Sequence, residues 1–122
     1  MPKFALPLLL CLGFVSIAWA KRSPPEPVAP VKSGNIEYRV DHRQMGCVEA
    51  WDLEHKEMLW RRQIYTVRYQ PDLERDVQDV FITAIELKDK TLTVKNERQS
   101  AYALDLDSLD VKVVAGRAVE GK

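Results

Sequence analysis

Between Asn35 and Val114 the chain is a succession of short runs rich in β-branched and aromatic residues, each closed by a charged turn. Ile36, Tyr38 and Val40 alternate with Glu37 and Arg39, which is the period of a half-buried strand. A second run passes through Cys47, Val48, Ala50 and Trp51. The third is the longest, from Met58, Leu59 and Trp60 through Arg61 and Arg62 to Ile64, Tyr65, Val67 and Tyr69, and Pro71 stops it. Val80–Leu87 is apolar on both alternations, which predicts a central strand, and Thr91–Lys95, Ala101–Leu106 and Val111–Val114 complete the set. Seven strands at a spacing of about ten residues predict an all-β fold, a small antiparallel meander. Two connections are ambiguous. Glu54–Glu57 has no Gly or Asn to take a positive φ cheaply, so a longer loop is expected there. Pro71–Phe81 is expected to hold a turn or a single helical turn.

Upstream, Met1–Ala20 carries one lysine, an unbroken apolar run and a small-x-small ending, Ala18-Trp19-Ala20. That is the pattern of a secretory signal peptide, and the run is shorter than the roughly 20 apolar residues of a membrane span. Residues 1–20 are therefore expected to be cleaved, leaving a periplasmic or secreted chain with no membrane span. Leu10 stands where a lipoprotein signal needs a small residue before Cys11. Residues 21–34 contain four prolines and no sustained apolar pattern, which predicts a proline-rich tether. The β domain is expected over 35–114, followed by a flexible tail over 115–122.

Cleavage would remove Lys3 from 18 basic residues and leave all 18 acidic ones, so the mature chain is near neutrality. No field of one sign is available to gather nucleic acid. Cleavage also removes Cys11, leaving Cys47 without a partner for an internal disulfide, so the fold must stand on packing.

Around the second and third runs, Ala50-x-Asp52 followed by Trp60 resembles the repeat of quinoprotein-type (PQQ-like) β-propellers, in which the tryptophan docks between blades. His55 and Lys56 stand where that repeat has Thr-Gly. A second copy begins at Ala103-x-Asp105, with Val113 at the tryptophan's position. The resemblance implies a blade-like scaffold built on Ala50, Asp52 and Trp60. It implies no cofactor, because the quinone and calcium ligands of those enzymes lie outside the repeat. A closed propeller needs at least four blades and this chain has room for about two, so the sheet either stands alone or is completed by association.

Candidate chemistry is sparse. His42, Met45 and Cys47 lie within six residues and would together suit copper. Strand geometry argues against them: it puts 45 and 47 on one face and leaves His42 in a loop. Cys47 is expected to be buried as a small apolar group rather than reactive or bridged to another chain. No nucleophile elbow, zinc-helix signature or phosphate loop is present, and the chain has only five serines, one of them inside the signal. Trp51 has the opposite parity to Ala50 and Asp52, so it is the tryptophan expected on the surface, near Tyr65 or Tyr69. Trp51, Tyr65, Tyr69 and Arg68 are the candidate binding residues. The function expected is a non-catalytic binding or assembly module with a protein partner or self-association. A periplasmic copper or redox protein, and a small secreted enzyme or enzyme inhibitor, are the alternatives.

Overall fold

The alternation at Ile36–Val40 does what its period demands: Tyr38 turns inward and lies opposite Ala50, while Glu37 and Arg39 face outward. The computed structural model describes residues 22–121, and the expected signal peptide lies outside them. Within those residues the protein is all-β and antiparallel apart from one parallel strand pair, with one short helix. The first sheet has the order β1 (Val31–Ser33), β2 (Ile36–Arg39), β3 (Cys47–Asp52) and β4 (Glu57–Gln63). β5 (Thr66–Val67) and the helix α1 (Arg75–Gln78) lead into the second sheet. That sheet runs β6 (Ile82–Lys88), β7 (Thr91–Asn96), β8 (Ala101–Asp105) and β9 (Val111–Ala115). A last strand, β10 (Val119–Glu120), pairs in parallel with β5.

One core joins the two sheets. Across the first sheet Val31, Tyr38, Ala50 and Trp60 form an inward row, with the Tyr38 and Trp60 rings tilted at 6.0 Å. Across the second, two rows run Leu87–Leu92–Leu104–Val111 and Ile85–Val94–Tyr102–Val113. Val48, Ala50, Leu92, Val94, Tyr102 and Leu104 are completely enclosed, the burial on which a fold without disulfides depends.

Four expectations change. The third run is not one strand. Gly46, held at φ 72°, offers its carbonyl to the N–H of both Ile64 and Tyr65, and Gln63 bonds the carbonyls of Met45 and Tyr65. The ladder stops there, and Ile64 and Tyr65 drop into the core. Val80–Leu87 is not central: β6 is an edge strand. A register shift between Ile82 and Ala84 brings Ile82 and Ile85 to the same buried side, so the apolar signal on both alternations comes from a bulge. The proline-rich segment is docked on the domain: Arg22 donates to the Asp79 carbonyl and pairs with Glu97, the Glu26 carbonyl meets His42, Val28 is buried and β1 adds to β2. The C-terminal tail is tied down by β10, whose Glu120 is buried.

The turn without glycine closes by a local device. Asp52 Oδ1 accepts from the backbone N–H groups of Glu54 and His55 at 2.9 and 3.2 Å, and Lys56 takes the left-handed conformation at φ 55°. The second sheet repeats it. Asp105 Oδ1 accepts from Asp107 and Ser108 at 2.8 and 3.2 Å, and Leu109 sits at φ 64°. The entry turns match too, with Gly46 at φ 72° before β3 and Gln99 at φ 66° before β8. Two four-stranded meanders are thus built on one pattern.

Candidate functional site

The outward face of the first sheet follows from the same register. Lys32, Glu37, Trp51 and Met58 lie side by side across its four strands, and the next row is Arg39, Glu49 and Arg61. Opposite charges stand on adjacent strands, the arrangement that stabilises cross-strand pairs. Arg61 closes on Glu49 with Nε at 3.0 Å and Nη2 at 2.8 Å from Oε2. The other carboxylate oxygen accepts from Trp51 Nε1 at 3.0 Å. Glu49 is only 4 % exposed although it points away from the core, because Arg61 and Trp51 cover it.

Trp51 is held from a second direction. The Arg39 guanidinium lies 4.7 Å from the centre of its ring, and Arg39 Nε donates to Glu37 Oε1 at 2.5 Å. The half-buried indole is therefore fixed before anything binds. Beside it is a groove of about 300 Å³ lined by Arg39, Trp51, Asp52, Leu53 and Lys56. Asp52 forms one wall, and its bonds to the His55 imidazole and backbone hold its carboxyl below the ordinary carboxylate range. Met58 and Leu59, 39 % and 46 % exposed, extend the apolar surface. A rigid aromatic with a buried carboxylate beneath it, paired to an exposed arginine, and flexible apolar chains beside it suits contact with a folded surface or a peptide.

The other binding candidates do not join this face. Tyr65 is a core residue, 2 % exposed, stacked on Tyr102 with ring centroids at 5.2 Å, and its hydroxyl donates to the Val80 carbonyl. Burial raises its pKa above the ordinary tyrosine value. Tyr69 is half-buried beside α1: its hydroxyl donates to Asp79 at 2.6 Å, and Arg75 lies 3.9 Å over its ring. Burial, then the Asp79 bond, pushes that phenol up to about 12. Arg68 has an exposed side chain, and its backbone N–H pairs with Glu120. Ala50, Asp52 and Trp60 stand together at the β3–β4 hairpin, Ala50 directly opposite Trp60.

His42 and Cys47 are engaged with other groups, and Met45 supplies its backbone carbonyl to Gln63 and to the Cys47 thiol. His42 Nε2 lies 2.9 Å from the Glu26 carbonyl, and its ring meets Phe81 edge-on at 5.2 Å. The Cys47 thiol donates to Gln63 Oε1 at 3.2 Å, and burial raises its pKa. Among the described residues no group of three or more His, Cys, Asp or Glu side chains is placed to hold a metal ion.

Arg39, Glu49, Arg61 and Met58 were missed as site residues. The signal was the parity of Glu49 and Trp51, which places a carboxylate between two arginines once β2, β3 and β4 are in register. A second polar cluster, buried, ties β10 to the second sheet: Glu120 Oε2 accepts from Ser100 Oγ at 2.7 Å and Asn96 Nδ2 at 3.0 Å. Ser100 is 2 % exposed, so that pair is an anchor rather than a reachable nucleophile. No helix among the described residues is long and apolar enough to cross a membrane. No family model matches the chain, and no curated protein matches it.

Proposed function

We propose that the protein is an exported binding module that docks a protein partner on the outward face of its first sheet and carries out no catalysis of its own. The observation that carries this reading is Trp51, a half-buried indole clamped by Arg39 and Glu49 beside exposed Met58 and Leu59. Tryptophan and arginine dominate the energetics of protein interfaces, and a pre-ordered side chain loses little entropy on binding. Export rests on the pattern of Met1–Ala20. The matched turns at Asp52 and Asp105 support reading the two sheets as a repeated blade-like unit of the PQQ-like kind.

The test is a photo-reactive residue placed at position 51 in the expressing cell, with position 86 on the second sheet as control. The expected result is a discrete adduct from position 51 whose mass is not a multiple of the chain's own. No adduct from position 51, or the same adducts from both positions, would count against the reading. Mass spectrometry of the recovered chain tests export: an N-terminus at Lys21 is expected, and a retained Met1–Ala20 segment would contradict it.

A further inference from the structure

The charges on the outward face of the first sheet are layered, each carboxylate lying beneath the cation that pairs with it. Side-chain exposure is 5 % for Glu49 against 38 % for Arg61, 12 % for Glu37 against 40 % for Arg39, and 25 % for Asp41 against 88 % for Arg43. Lys32, 64 % exposed, reaches Glu37 only at 4.0 Å. Asp41 and Arg43 continue the face past β2: the Arg43 bonds first, and then the nearby Arg61 charge, hold the Asp41 carboxyl below the ordinary carboxylate range. In the groove beside Trp51, Asp52 is committed to its own turn. Its Oδ1 accepts from Asn35 Nδ2 and the Glu54 and His55 N–H groups, and Oδ2 lies 2.9 Å from the His55 imidazole. Lys56, exposed, lines the same groove. Glu54 and Glu57, also exposed, sit at the hairpin end, away from the row of Arg39, Glu49 and Arg61. The strand face that a partner meets is therefore cationic, although most of its cations have a carboxylate below them.

We infer that the partner docks through an acidic segment, with one apolar side chain in the groove beside Trp51 and neighbouring Asp or Glu residues over Arg39, Arg61 and Arg43. The inference rests on the reading of this face as the docking surface and adds the partner's chemistry. The groove, about 300 Å³, is at the small end of ligand sites, so it admits a side chain rather than a large cofactor. The guanidinium groups keep donors free for it. Arg39 gives Nε to Glu37, and Arg61 gives Nε and Nη2 to one oxygen of Glu49. Each can thus donate to a second carboxylate without releasing the first. Glu54 and Glu57 repel acid at the hairpin end, so the acidic residues lie on the side of the groove away from it. A basic segment would meet exposed guanidinium groups and is disfavoured by like charge.

The test selects random peptides displayed on phage against the chain as it accumulates in the expressing cell, and keeps those whose binding is lost in Trp51→Ala. These peptides are expected to set a Leu, Met or aromatic residue beside several Asp or Glu residues. The double variant Lys32→Glu, Arg43→Glu reverses two exposed cations and leaves Arg39 and Glu49, which hold Trp51, in place. It should weaken a selected peptide at least about tenfold, and wild-type binding should weaken as salt is raised. Circular dichroism checks that each variant is folded. Trp51-dependent peptides with no excess of Asp and Glu, or ones that bind the double variant as well as wild type, would overturn the inference and leave the docking face standing. A library that yields no Trp51-dependent peptide would overturn it too, while the adduct from position 51 decides the docking face separately. Tighter binding to vesicles of phosphatidylcholine and phosphatidylserine than to the selected peptides would assign the face to a membrane and likewise overturn it.

Discussion

Removing one oxygen atom from Tyr65 tests the core most sharply. Its hydroxyl donates to the Val80 carbonyl in a region from which water is excluded, since Tyr65 is 2 % and Val80 0 % exposed. Tyr65→Phe keeps the ring on Tyr102 but leaves that carbonyl without its partner, at a cost of about 1–3 kcal/mol. For a domain of this size each kcal/mol moves the melting temperature by about 4–8 °C. The expected drop is therefore roughly 5–20 °C by thermal unfolding at neutral pH, a large share of the ~5–15 kcal/mol a small domain possesses. The pH dependence has a definite sign. Burial raises the Tyr65 pKa above its unfolded value near 10, so the folded state holds the proton more tightly. That contribution is complete below about pH 10 and is lost as the pH rises above it. Tyr102 and Tyr69 are raised in the same direction, so wild-type protein should lose stability above about pH 10, and Tyr65→Phe should make the decline shallower. A melting temperature within about 2 °C of wild type, below what the smallest of these costs allows, would refute the buried hydrogen bond.

Gly46→Ala should be strongly destabilising, because Gly46 is at φ 72° and an added Cβ would lie 2.3 Å from the Tyr65 carbonyl oxygen. Gly34→Ala, at φ 59° with nothing within 4 Å, should cost only the conformational penalty of about 1 kcal/mol; denaturant titration that ranks the two the other way would overturn the assignment of Gly46 as the hinge ending the β4 ladder. Cys47, buried and bonded to Gln63, should react with a thiol reagent only as fast as the domain opens, and rapid labelling of folded protein would contradict that burial.

How much of this was legible depended on whether the signal was local. The alternations at Ile36–Val40 and Thr91–Lys95 reported strands directly, because period and burial agree there. Bulges defeated the same reasoning: the register shift between Ile82 and Ala84 made an edge strand read as a central one. Tyr65 was misplaced because a carbonyl 19 residues earlier in the chain, that of Gly46, ends the ladder, and no window around Tyr65 contains it. β1 and β10 escaped because strands of three and two residues have no period to read. At the site, Trp51 followed from parity alone. Its clamp required the register of three strands, which sequence alternation does not supply.

The native mass of the particle carrying this chain, in a gentle extract of the expressing cell, tests the central claim most directly. Trp51→Ala forfeits a partly exposed cation–π contact and the hydrogen bond to Glu49, about 2–4 kcal/mol together, and circular dichroism checks that the domain stays folded so that any change reports on the surface. Wild-type protein is predicted to migrate in a complex with a second protein, and the Trp51→Ala protein at the mass of the free chain. Wild-type protein found only as free chain, or a Trp51→Ala protein in the same larger complex, would contradict it.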